Sequence, residues 1–351
     1  MADKKTSIGG QALMEGIMMR GPEVTAMAVR RADGEIVLED FPTDTKVPKI
    51  CKLPLIRGVY GMITSMTIGY KCMMRSADIY AMDVLAEEEE KTEKTDRSEV
   101  SSASASADAD TPVAVEESEP ASKKAKREKD KKESAEGESV LGTAAMVITV
   151  LLSVVLMLGL FLWLPTFLYD ISIAKLTADF SPFLALFTRS ACEALIRVII
   201  LVGYMLAISQ MKDIKRTFMY HGAEHKTIFC YEKGLPLTVE NIRPMCRFHP
   251  RCGTSFLILM VLVGILLGLL IPFTGWLRVV CKIALIPFTV GIGYELIKLA
   301  GRYDNFFTRM ISAPGVWLQH ITTKEPDDQM IECAIAAMEK VIPEDKEKDN
   351  W

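Results

Sequence analysis

Val140–Leu168 reads VLGTAAMVITVLLSVVLMLGLFLWLPTFL, without a charged residue from end to end. A helix rises 1.5 Å per residue, so about 20 such residues cross the ~30 Å hydrocarbon core of a bilayer. Trp163 and Tyr169 stand toward its end, where amphipathic rings suit the interface. Three more segments share this character. Cys192–Gln210 is apolar except for Glu193 and Arg197, which are four apart and so meet on one helix face. Phe256–Phe273 is uncharged and closes at Pro272. Leu277–Leu299 keeps Lys282, Glu295 and Lys298 toward its ends, where long side chains snorkel to water. The link after Pro272 is short enough to make these last two an antiparallel hairpin. The expected fold is a mainly α integral membrane protein, with about four transmembrane helices, a small N-terminal β unit and a cytosolic helical loop.

Composition agrees. Half of the 351 residues are apolar and mean hydropathy is +0.21, yet a quarter are charged, so the two kinds must be segregated along the chain. A net charge of −4 and a pI near 5.8 argue against nucleic acid as a partner. Eight cysteines are too sparse for a secreted disulfide scaffold, and Met1–Ser7 is polar rather than the start of a signal peptide. Lys212, Lys215, Arg216, Lys226, Lys233, Arg243, Arg247 and Arg251 crowd the stretch between the second and third spans, whereas Asp170–Ser190 holds only Lys175 and Arg189. The positive-inside rule then puts both termini and this long loop in the cytoplasm. Thiol or metal chemistry is favoured over disulfides in that compartment.

Working outward, residues 1–54 read as a small β-rich cytosolic unit, with strand-like Thr25–Arg31 and Glu35–Phe41 around the Asp33-Gly34 turn. Upstream, the Met-rich run between Gly9-Gly10 and Gly21-Pro22 has room for another strand. Residues 55–85 read as an amphipathic or interfacial helix, because the uncharged stretch Gly58–Tyr70 is too short to span. Residues 86–139 read as a disordered charged linker, since Glu87–Glu90, an Ala/Ser tract and Lys123–Arg127 lack the apolar content to offset chain entropy. The expected spans pair as 140–209 and 256–300 around a cytosolic His/Cys loop at 210–255. Residues 301–351 form a cytosolic C-terminal segment with a docking helix over Thr322–Lys340, whose start is marked by Pro326, Asp327 and Asp328.

The chemistry concentrates in the loop. His221-Gly222-Ala223-Glu224-His225 is H-x-x-E-H, and the residues around it are helical until Lys233-Gly234. On a helix His221 and His225 share one face and can grip one metal, with Glu224 beside them as a general base. Cys246-Arg247-Phe248-His249-Pro250-Arg251-Cys252 follows as C-x-x-H-x-x-C, built from the residue types zinc favours. The candidate ligands of a divalent metal, zinc foremost, are His221, His225, His249 and Cys252, with Cys246 in reserve. Two other readings stay open: histidines that only satisfy carbonyls, with no metal, and a closed structural site in which Glu224 pairs with Lys226, Arg251 or another base. The loop's cations either neutralise an anionic substrate or lipid headgroups, or only set the topology.

These motifs, with Gly9–Pro22, His249–Phe256 and Pro314–Gln319, resemble the YqhQ-like family of bacterial membrane proteins. The resemblance covers nearly the whole chain except the charged linker. It implies a multi-pass protein of the bacterial cytoplasmic membrane, of a family of unknown function sometimes described as metal-dependent. It implies ligand roles for His221, His225 and His249, a ligand or nucleophile role for Cys252, and a base at Glu224. Glu15 and Arg20 lie in its N-terminal motif, where they either dock on the metal loop or only pack. The expected function is a zinc-type hydrolase at the cytosolic membrane face. The alternative is a non-catalytic accessory or assembly subunit of a membrane-protein complex, such as one for protein insertion or export. A transporter is disfavoured, because no inverted pair of broken helices stands out.

Overall fold

The computed structural model describes residues 5–43, 47–103, 148–303, 305–345 and 349, with backbone alone for 86–103. These fall into two compact units, residues 88–164 and the remainder. The first of these holds the later part of one long helix and the start of the next.

Four strands form an antiparallel meander in chain order: β1 (Gly9–Leu13), β2 (Gly16–Arg20), β3 (Val24–Arg30) and β4 (Ile36–Pro42). The Met-rich run therefore makes two strands, and β3 and β4 lie where the alternation put them. Side chains alternate between the faces of a strand. Ile17, Met19, Ala26 and Ala28 face one way, and Leu13, Met18, Met27 and Val29 the other. Both sets are apolar, so both faces must be covered. Cys72 and Ile79 of α1 (Ile56–Ala103) cover the second set. Tyr220 and Ala223 of α4 (Lys212–Glu232), with Met330, Ile331 and Met338 of α8 (Asp328–Val341), cover the first.

Helix α1 begins where expected, at the edge of 55–85, but runs on to Ala103, into the stretch read as linker. Ala, Glu and Lys are good helix formers, which composition-based disorder does not weigh. The rest of that linker lies outside the described residues. At its start, Arg57 makes a two-pronged ion pair with Glu295.

Among the described residues, three helices are long and apolar enough to cross a membrane: α2 (Ile148–Ser172), α3 (Pro182–Ile208) and α6 (Gly275–Arg302). Helix α3 starts well before the expected Cys192, because Ser181 caps it by accepting the Leu184 N–H and Pro182 opens it. The third expected span is cut down to α5 (Gly253–Gly268), 16 residues or about 24 Å long. It stops ahead of Pro272, which has no N–H to give the Gly268 carbonyl, and Arg278 caps the end by donating to the carbonyls of Gly268 (3.4 Å) and Ile271 (2.5 Å). Lys282 does not snorkel. Its ammonium turns inward onto Glu193 (2.6 Å) and Thr166 (2.8 Å). Glu193 also accepts from Arg278 (3.0 Å) and Arg189 (3.2 Å), and Arg189 reaches Asp170 (2.5 Å).

The C-terminal segment holds two helices where one was expected. Helix α7 (Phe306–Thr322) is fixed by a capping box between Asn305 and Thr308 and packs on α5 and α6. The docking helix α8 starts later than Thr322, at Asp328, capped by Asp327.

Candidate metal centre

Helix α4 divides its faces. Tyr220, Ala223 and Cys230 enter the core under the sheet. His221, Glu224, His225 and Ile228 line a cleft of about 500 Å³, whose other walls are Gly9–Ala12 of β1 and Arg251–Thr254 at the start of α5. The helix stops as read, with Gly234 at φ +68° and its N–H on the Tyr231 carbonyl.

The side-chain donor atoms of His221, His225 and Cys252 all lie within 4.8 Å of one another. His221 Nε2 is 3.1 Å from Cys252 Sγ. Carbonyls position both rings: His221 Nδ1 donates to Thr322 O (2.9 Å), and His225 Nδ1 to Arg247 O (2.5 Å). A carbonyl only accepts, so each Nδ1 keeps its proton and each Nε2 is turned into the cluster. The Thr322 carbonyl is available because it ends α7, where the last carbonyls have no partner within the helix. Gly222 lets this segment approach; a Cβ there would stand 2.0 Å from Lys324 O.

Two buried atoms in this cluster make no hydrogen bond of ordinary geometry among the described residues: Glu224 Oε2, and His225 Nε2, which faces the Cys252 sulphur. The Glu224 carboxyl lies against Gly10 of β1. Gly10 is required for that approach, since a Cβ would stand 2.9 Å from Glu224 Cδ and 2.7 Å from Met18 O. Lys226 and Arg251, the bases that would neutralise Glu224 in a closed site, are committed elsewhere: Lys226 to Glu325 and Arg251 to Glu232.

Burial raises the Glu224 carboxyl above its ordinary range. Burial opposes a charge on Cys252 too, but the two histidines outweigh it and hold the thiol well below 9. Burial likewise opposes a proton on His221, and the Cys252 charge overcomes it, raising the imidazole to about 9. Both shifts favour a thiolate beside an imidazolium.

The structure does not bring His249 into the trio. Its Nδ1 accepts the Arg251 N–H (3.3 Å), its Nε2 sits 3.8 Å from Glu232, and its ring lies 4.7 Å from that of Phe229. Burial keeps it below its ordinary pKa despite Glu232. Its backbone is clamped by Gln319, which accepts the His249 N–H and donates to its carbonyl. Cys246 is exposed, its sulphur accepting the Phe248 N–H. Of the loop's other cations, Arg243 pairs with Asp328 and Arg247 with Glu325.

Glu15 does dock on α4. Its carboxylate takes two bonds of 2.5 Å from Arg216 and one from Tyr220. It does so from φ +48°, a left-handed conformation that costs about 1 kcal/mol for a residue with a Cβ. Arg20 instead donates to Ser65 of α1. Gln319, Thr322 and Gly10 escaped the sequence reading. Only the conspicuous Gly9-Gly10 pair and the Pro314–Gln319 motif pointed toward them.

Residues 53–344 match the model of a family described as protein of unknown function (DUF1385). The chain is 33% identical over 339 residues to the uncharacterized protein YqhQ of Bacillus subtilis (strain 168), covering 95% of this chain and 92% of that one. No solved structure matches. The chain belongs to this family.

Proposed function

Taking that membership as the premise, we propose that this protein is a membrane-embedded, zinc-dependent hydrolase whose site lies at the cytosolic membrane face. The observation that carries the reading is the pair of orphaned buried atoms, His225 Nε2 and Glu224 Oε2, beside the His221–Cys252 pair. Leaving buried polar atoms unmade costs about 1–3 kcal/mol each, so they point to something that would complete them. Two imidazoles and a thiolate suit zinc and leave a fourth position open, as catalytic sites do. Zinc held by His221, His225 and Cys252 would supply Lewis acidity, polarising a scissile carbonyl and acidifying water. The chain's own residues do the rest. Gly10 packs against the Glu224 carboxylate, whose unpartnered oxygen would take a proton from water and pass it to the leaving group. Thr322 O and Arg247 O hold the two ligand rings in the right tautomer.

The topology follows from parity. The sheet, α4 and α8 share one core and so lie on one side of a bilayer. An even number of crossings must separate each from the next. That pairs α2 with α3, and α6 with the short α5, giving four spans. The basic stretch 212–251 then puts the shared core and both termini in the cytoplasm of a bacterial cell. Short α5 is tolerated through local bilayer thinning.

The 3.1 Å contact between His221 and Cys252 favours a second reading, a thiolate nucleophile at the N-terminus of α5. Elemental analysis of detergent-purified protein, with hydrolysis of a p-nitrophenyl ester before and after a zinc chelator, separates the two. The metal reading expects about one zinc per chain and chelator-sensitive turnover; turnover that survives chelation and dies in Cys252→Ser belongs to the thiol. Zinc without turnover of any ester or amide would leave the accessory-subunit role.

A further inference from the structure

Resting on that hydrolase reading, we infer that the substrate is a polypeptide segment bound in extended form, added as a fifth strand along the free edge of β1. Strand β1 is the first strand of the meander and pairs only with β2. Leu13 and Gly16 close a two-residue hairpin, so their pair exchanges both backbone bonds, and the alternation of an antiparallel ladder follows from there. Leu13, Gln11 and Gly9 bond to β2. Ala12 and Gly10 turn their N–H and C=O groups outward. Gly10 lies against the Glu224 carboxyl, where an added Cβ would stand 2.9 Å from its carbon.

That outward edge is a wall of the cleft holding His221, Glu224 and Cys252. A second cavity, of about 720 Å³, opens on the other side of the same strand and shares Gly9, Gly10 and Gln11 with the first. The two make a trough around the edge. Nothing fills the space beside Gly9, where an added Cβ would meet no atom within 4 Å. Backbone groups repeating along an open strand recognise another strand's backbone and tolerate varied side chains. Of the cations lining the two cavities, Arg251 is bound to Glu232 and Arg57 to Glu295, which leaves the charges of Arg20, donating to Ser65, and of Lys52 in the larger one. A strand on this edge lays a peptide carbonyl beside Glu224. In the hydrolysis of that amide the C–N bond breaks and a C–O bond to water forms. Glu224 carries the proton from the water to the departing nitrogen.

The test uses full-length zinc-loaded protein in detergent, with fluorescein-labelled, reduced and carboxymethylated lactalbumin as the extended probe. Ala12→Pro removes an outward N–H that β2 does not use, which an edge strand tolerates; Ala12→Val keeps it. Fluorescence anisotropy should show binding weakened by about tenfold or more in Ala12→Pro and little changed in Ala12→Val, as for one hydrogen bond and a misfitted strand. Hydrogen exchange on the wild type needs no variant to fold. The probe should slow exchange in residues 9–13 and not in 36–42, the sheet's opposite edge. Binding equal in wild type and Ala12→Pro, no binding, or protection at 36–42 would overturn the inference. So would displacement of the probe by phosphatidylglycerol vesicles, which would mark the trough as a lipid site. Binding is read without turnover, so edge binding without cleavage sinks the hydrolase and keeps the edge, and ester hydrolysis without probe binding does the reverse.

Discussion

Two buried polar clusters in this protein are built alike and finished differently. Around Glu193 every charge has its partner: Arg189, Arg278 and Lys282 surround one carboxylate, and Ser190, Thr166, Asp170 and two carbonyls take up their remaining donors. Around Glu224 the partners run out. One carboxylate oxygen and one imidazole nitrogen stay buried and unbonded, while the nearest cations are held by other acids. A polar cluster closed on itself holds helices together; one with atoms left over is set for a ligand or a proton. Sequence character alone would rank them the other way, since charges inside apolar segments are the usual flag for function.

The comparison can be broken most directly at its two carboxylates. Glu224→Gln should reduce ester or amide hydrolysis by about 10²–10⁴-fold, the usual worth of a general base, with zinc content unchanged. Turnover within a factor of two of wild type would remove Glu224 from the chemistry. Glu193→Gln should spare the zinc site and weaken the fold instead. Stranding Arg278 and Lys282 without their carboxylate costs about 3–5 kcal/mol, read as a lower melting temperature and poor recovery from detergent. A variant as stable as wild type would show that the closed cluster is not structural.

Next in size is metal retention. His221→Ala and Cys252→Ser should each lose zinc, while His249→Ala should keep it, because the His249 nitrogens serve Arg251 and Glu232. Equal loss in all three would return His249 to the ligand set. Gly10→Ala should lower turnover by about tenfold through displaced Glu224, since the added Cβ meets both the carboxyl and Met18 O. Wild-type turnover in that variant would show the strand contact to be idle.

The smallest effect is a pH dependence in the zinc-stripped protein. The His221 pKa is raised to about 9, so its stabilising share is complete below its ordinary 6.5 and is lost as pH rises through 9. Cys252 is depressed, so its share is present above its ordinary value and is lost as pH falls through its folded one. The pair therefore holds at neutral pH. From 6.5 to 9 the two shares offset, since folded thiolate–imidazolium and unfolded thiol–imidazole bind one proton each. Thiolate absorbance near 240 nm should be present at pH 7, and the melting temperature should hold steady from pH 7 to 9 and fall as pH drops below 6.5. Cys252→Ser should flatten that fall, and a thiol that first ionises above pH 8 would refute the pair.

Much of this was legible in the chain because it is local. An uncharged apolar run declares a span, alternation declares β3 and β4, and H-x-x-E-H puts two imidazoles on one helix face whatever surrounds it. The errors came where a distant residue intervened. Arg278, from the next helix, caps the early end of α5. Glu193 draws Lys282 inward. Arg251 and Glu232 divert His249, although its spacing from Cys252 matches a zinc knuckle. Helix α7 went unread because Pro314 and Gly315 within it look like a break.

By itself, then, the sequence determined the classes of element and the face of α4 that carries His221, Glu224 and His225, because helical and strand periods act over a few residues. The tertiary structure decided that the Cys252 sulphur meets those histidines, which backbone carbonyls orient them, and that Gly10 of a strand near the N-terminus lies against Glu224. Those contacts join residues far apart in the chain, and they exist only because both faces of the sheet had to be buried, against α1 on one side and α4 with α8 on the other.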